Sequence, residues 1–142
     1  MSIKQISVFL ENRPGQLAEI TQTLADSGIN LRAISIAETA DYGVLRLIAD
    51  DADRAASVLL AGGHIVTLTS VVVVGVQDEP SGLSKLLALL ADAQIEYMYS
   101  LFSHMNGKAY MVFRPSNEAA LEALLAQRAI AAADPTELGL RA

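Results

Sequence analysis

The residues best suited to chemistry lie in one stretch, Glu11-Asn12-Arg13-Pro14-Gly15-Gln16-Leu17, with a second short run, Gly28-Ile29-Asn30, further along. Before the stretch, Ile6, Val8 and Leu10 alternate with Gln5 and Ser7; after it, Leu17, Ile20 and Leu24 recur at helical spacing. The chain therefore turns from strand into helix between Asn12 and Gly15. Asn12 is suited to bonding backbone donors where a helix begins, Pro14 fits a first helical turn, and Gly15 lets another molecule approach the backbone. The first amides of such a helix have no internal acceptor and sit at the positive end of its dipole, which suits a small carboxylate. The same residues are also an ordinary way to pass from strand to helix. Gly28, as a helix stop, and Asn30, opening the next strand, supply the second half of the pattern.

Other chemistry finds little support. With no cysteine, disulfides, a thiol nucleophile and thiolate metal sites are excluded. His64 and His104 have no third ligand at metal spacing. Asp50, Asp51 and Asp53 read as helix-start carboxylates in preference to metal ligands. Gly107-Lys108 lacks the preceding glycine of a phosphate loop, and no serine elbow or acid pair defines a catalytic site. Arg54, Arg114 and Arg128 share no motif. No catalytic residue, cofactor or metal is expected. A net charge of −6 and a pI near 4.7 argue against nucleic acid as a partner. No apolar run approaches the roughly 20 residues that span a bilayer, and no export signal is legible at the N-terminus, so a cytoplasmic protein is expected. The hydrophobic fraction of 52% is high for such a chain, and pairing with a second copy would hide the excess.

The elements that must position the loop follow in order. Strands are expected over 3–10, 30–38, 42–49 and 65–69, helices over 14–27 and from the Asp50 cluster to 60, and a turn at Thr39-Ala40-Asp41. Apolar residues occupy both faces of the third strand, Leu45 and Leu47 on one and Val44 and Ile48 on the other, so something covers the face away from the helices. Strand, Glu-Asn-Arg-Pro-Gly-Gln-Leu, helix, Gly-Ile-Asn, strand and a two-strand return resembles the ACT domain, a small regulatory amino-acid-binding module. Asn12, Pro14, Gly15 and Asn30 match that pattern directly. The resemblance implies a site at the strand-to-helix loop and the opening of the second strand, shared with a second ACT unit.

A shift of 66 positions carries Pro14 onto Pro80, Leu17 onto Leu83, Leu24 onto Leu90, Asp26 onto Asp92 and Ile29 onto Ile95 without a gap. The predicted fold is α+β: two tandem ferredoxin-like βαββαβ units, 1–69 and 70–142, with antiparallel sheets and helices on one face. Two strands are expected to abut near Ser70 within the apolar run 64–76. Strands over 94–103 and 108–113 flank an Asn106-Gly107 turn, a helix follows Pro115-Ser116-Asn117 to 127, and a weak last strand is expected over 130–133. The second unit substitutes carboxylates at both asparagine positions, Asp78 for Asn12 and Glu96 for Asn30, and has Ser81 for Gly15. Two carboxylates repel a ligand carboxylate, though either suits an ammonium group, so one well-formed site per chain is expected.

The binding set is thus Asn12, Arg13, Pro14, Gly15, Gln16, Leu17 and Asn30, with Tyr97, Tyr99 and Ser100 of the second unit as further candidates that otherwise read as core and interface aromatics. A free amino acid would place its carboxylate on the amides around Arg13 to Leu17 and its ammonium on Asn12 or Asn30, in a homodimer that regulates a metabolic enzyme or transport process. The alternative is a ligand-free assembly module of the same fold. Which amino acid binds is not legible.

Overall fold

A computed structural model of the chain describes residues 3–11, 13–38, 42–102 and 107–141. Contacts divide it into two compact units, one built on Lys4–Thr69 and the other on Ser70–Leu138. The turn expected at Thr39 to Asp41, and Met105-Asn106 of the second turn, lie outside the described residues.

In the first unit, β1 (Ile3–Glu11), α1 (Gln16–Asp26), β2 (Leu31–Glu38), β3 (Tyr42–Ala49) and α2 (Ala52–Ala61) lead into β4 (Val66–Gln77). Strand β3 pairs antiparallel with both β1 and β2, and the Phe9 N–H bonds the Ile65 carbonyl at 3.0 Å beside the other edge of β1. The order is β2-β3-β1-β4. Registering Ile6 with Leu47 and Val8 with Leu45 puts four apolar side chains on one sheet face. Ile20 and Leu24 of α1 and Ala55 and Leu59 of α2 pack on that face and complete the core. Burying each large side chain contributes about 1.5–3 kcal/mol. On the opposite face Gln5 and Ile48 are fully buried while Phe9 is exposed, so that face is not uniformly wet.

The ends of the helices explain much of the polar sequence. At the end of α1, the Gly28 N–H bonds Ala25 O at 2.9 Å and the Ile29 N–H bonds Leu24 O at 3.0 Å. Gly28 adopts φ +70°, the left-handed stop its type suggested. The Asp50 cluster is used one carboxylate at a time: Asp50 accepts the Asn30 N–H, Asp51 caps α2 through the Arg54 N–H (both 3.1 Å), and Asp53 lies 3.0 Å from Lys4 Nζ. His64 follows a Gly62-Gly63 stop of the same kind and bonds Leu59 O through its own N–H at 3.1 Å; His104 lies outside the described residues.

In the second unit β4 continues, followed by α3 (Gly82–Leu89), β5 (Ile95–Ser100), β6 (Lys108–Pro115) and α4 (Glu118–Gln127). Strand β6 pairs antiparallel with β4 and β5, in the order β4-β6-β5. Val72, Val74 and Val76 of β4 and Phe113 of β6 pack against Leu86, Leu121 and Leu125 of the helices. The architecture is α+β, a tandem of ferredoxin-like antiparallel units with helices on the core face of each sheet.

Two expectations change. Where two strands were expected to abut near Ser70, β4 is a single strand of 12 residues, because its Val and Thr run contains nothing that turns the backbone. The last strand expected over 130–133 is not formed. The segment leaves α4 through Ala129 at φ +56°, and the Ala133 N–H makes one 2.7 Å bond to Val73 O. Alanines with little β-branched content, closed by Pro135, do not sustain a ladder.

Candidate functional site

Strand β1 ends at Glu11, and the chain turns through Pro14 and Gly15 before α1 begins at Gln16. Gly15 occupies the N-cap at φ +85°, ψ −7°, so Pro14 precedes the helix, where a place in its first turn was expected. A left-handed residue at that point reverses the chain direction, which glycine does without a Cβ penalty. The first helical bond runs from the Glu19 N–H to Gly15 O at 3.0 Å. Among the described residues, no acceptor one turn back serves the Gln16, Leu17 or Ala18 amides, and Gly15 has no side chain to cap them. Asn12, expected as a cap and ligand contact, lies outside the described residues.

Gln16 is buried, 7% exposed, and its Oε1 accepts the Glu11 N–H at 2.8 Å. This bond ties the start of α1 to the end of β1. Arg13 lies at the rim, with Nη2 3.1 Å from Glu19 Oε2 and Nε 3.5 Å from Glu11 Oε2. Between these groups and the end of the sheet is a cavity of about 250 Å³, lined by Arg13 to Leu17 on the loop side and by Leu10, Glu11, Ile36, Tyr42 and Gly43 on the sheet side. The volume falls below the roughly 300–1,000 Å³ of pockets for drug-sized ligands. It suits a small metabolite. Backbone amides and a guanidinium offer donors to a carboxylate, and Glu11 offers an acceptor to an ammonium group.

Arg13, Pro14, Gly15, Gln16 and Leu17 thus meet around one cavity, whereas Asn30 does not line it. Asn30 follows α1, whose 11 residues rise about 16 Å, and its backbone is engaged with Asp50 at 3.0 and 3.1 Å. Within one unit the loop and the opening of β2 lie at opposite ends of the helix. Tyr97, Tyr99 and Ser100 stand on β5, the two rings stacked with centroids 6.5 Å apart. None of the three lines the cavity.

The matching loop of the second unit is built differently. Ser81 takes φ −95° where Gly15 takes +85°. Gly82, at the position of Gln16, packs so closely that an added Cβ would stand 2.0 Å from Gln77 O. Glu96 lies 4.0 Å from Arg114 Nε. A larger groove in this unit runs along α4 beside Asp92, Gln94 and Asn117, but the Asn117 oxygen already caps the helix through the Ala120 N–H at 3.0 Å.

Sequence reasoning missed the sheet side of the cavity. Ile36 and Tyr42 are each 44% exposed, and the Tyr42 ring stacks on Phe9 at 5.5 Å. The alternation of β2 signals that Ile36 shares a face with Ile34. That it reaches the Gly15 loop depends on strand register.

Among the described residues no three His, Cys, Asp or Glu cluster to hold a metal ion, and no helix is long and apolar enough to cross a membrane. The family described as ACT domain pair matches residues 1–137. The crystal structure of protein BT0572 from Bacteroides thetaiotaomicron is similar at 40% identity and a TM-score of 0.88, covering 98% of this chain and 96% of that one. The ligand-free regulatory subunit of aspartate kinase from Thermus thermophilus shares the fold at 22% identity and a TM-score of 0.60, over 87% of this chain and 91% of that one. So does E. coli aspartokinase III in complex with lysine and aspartate, at 16% identity and 0.53, over 89% of this chain and 31% of that one. No curated protein matches. With nearly its whole length matched, this chain belongs to the ACT family and carries a pair of ACT domains.

Proposed function

We propose that this chain is a non-catalytic regulatory protein that binds a free amino acid at the first strand-to-helix loop and controls a metabolic enzyme or transport process. The observation that carries the reading is the cavity of about 250 Å³ at the Gly15 turn, where helix-start amides and Arg13 stand beside Glu11. The ligand carboxylate would bind the Gln16 and Leu17 amides and Arg13, and the ammonium group would bind Glu11 and the Asn12 amide oxygen. Asn30, at the far end of α1, would reach a ligand only from another unit. The working form is therefore a cytoplasmic homodimer in which the site of one copy is completed by the β2 opening of another. The two ACT domains are assigned to 1–69 and 70–142. A ligand held between units has different affinities for their different arrangements, and that difference is the physical basis of a regulatory output.

The test is a thermal-shift and calorimetric panel of free L-amino acids against the intact chain. A ligand at a hundred times its Kd stabilises the folded state by about 2.7 kcal/mol, a rise in Tm of roughly 5–10 °C for a chain of this size. Asn12→Ala and Gly15→Val are expected to abolish the shift while circular dichroism shows the fold retained. A dimer whose Tm no amino acid moves would overturn the reading and leave an assembly module.

A further inference from the structure

The two sides of the cavity differ in chemistry, and the difference bears on the guest. On the loop side stand amides and Arg13. On the sheet side, the described lining is Leu10, Glu11, Ile36, Tyr42 and Gly43, of which Glu11 alone is charged, and it lies at the end of β1, 3.5 Å from Arg13 Nε. The register sets Ile36 opposite Leu45 and Leu45 opposite Val8. Ile36 therefore projects to the core face of the sheet, yet it remains 44% exposed. Leu17, on the first turn of α1, is 39% exposed and lines the same cavity. Two large aliphatic side chains thus face one small cavity, with the buried Leu10 behind them and the Phe9-stacked Tyr42 at the edge. The charges that are present are engaged at the loop, where Arg13 lies between Glu11 and Glu19.

Resting on the amino-acid reading above, we infer that the guest carries an uncharged, apolar side chain, aliphatic or aromatic, seated on Ile36, Leu17 and Leu10. A lysine or aspartate side chain seated on these aliphatic residues would lose its hydration, while the charged lining residues Glu11 and Arg13 are paired with each other and, in the reading above, serve the ammonium and carboxylate groups common to every amino acid. An aliphatic side chain would complete the burial of Ile36 and Leu17, gaining about fourfold in affinity for each methylene removed from water.

The probes are L-leucine, L-isoleucine, L-phenylalanine, L-alanine, L-serine, L-lysine and L-aspartate, titrated calorimetrically into the intact chain. The expected result is affinity rising from alanine to leucine by a factor on the order of 50, with serine, lysine and aspartate at least tenfold weaker than leucine. Ile36→Ser, at an exposed strand position, is expected to fold normally by circular dichroism and to bring the leucine-to-alanine ratio toward one. Tight binding of lysine, aspartate or serine, or a ratio unmoved in Ile36→Ser, would overturn the inference and leave the amino-acid reading standing. Binding of no amino acid would overturn both.

Discussion

The side-chain oxygen of Gln16 accepts the backbone N–H of Glu11 at 2.8 Å, so the first residue of α1 closes the end of β1. The bond is partly buried and holds the turn that shapes the cavity. Removing the acceptor in Gln16→Ala leaves a partly buried donor unpaired, and stability is expected to fall by about 1–3 kcal/mol. The urea midpoint checks this. A change within 0.3 kcal/mol would show that water replaces the bond without penalty.

Gly15 is in the left-handed region at φ +85°, and a Cβ added there meets nothing within 4 Å. The strain of a substitution is therefore in the backbone alone. Gly15→Ala is expected to lower stability by about 1–2 kcal/mol. Gly15→Asn, a residue that tolerates this conformation, is expected to lose less. Chemical denaturation of both variants separates backbone strain from steric conflict, since a steric cost would make the larger asparagine the worse of the two.

One residue past the matching position of the second unit, at Gly82, which corresponds to Gln16, the balance reverses. An added Cβ at Gly82 would stand 2.0 Å from Gln77 O, and a carbonyl in the chain's own backbone does not move aside like the tip of a side chain. Gly82→Ala is expected to cost about 1–3 kcal/mol through overpacking and to shift the amide resonances of 76–83. Unchanged stability would mean that α3 can slide from β4 freely.

Ala129 ends α4 at φ +56°, where the Ile130 N–H bonds Leu125 O at 2.9 Å in the place glycine usually fills. Relief of the left-handed cost, about 1–2 kcal/mol, is offset by the greater freedom of glycine in the unfolded chain, about 0.4–1 kcal/mol. Ala129→Gly is expected to raise stability by roughly 0.5–1 kcal/mol. Thermal denaturation of the intact chain reads the sign directly.

Much of the fold was legible because its signals are local. The alternation at Ile6, Val8 and Leu10, the helical spacing at Ile20 and Leu24, and the glycine at Gly28 each restrict a few adjacent residues, and each matches its element. The repeat at 66 positions was legible because the two units solve the same packing problem with the same residues, Leu24 and Leu90 being buried alike. The length of β4 and the missing last strand were less so. An apolar run fits one long strand as well as two, and a weak strand depends on what lies beside it.

By itself the sequence determined most of the elements, the doubling and the strand-to-helix turn from Arg13 to Leu17, since turn geometry and periodicity act over a few positions along the chain. Only the tertiary structure decided that Ile36 and Tyr42 reach that loop while Asn30 does not. Which strands lie side by side, and in what register, depends on burying side chains distant in sequence, and a helix of 11 residues fixes how far apart its two ends must be.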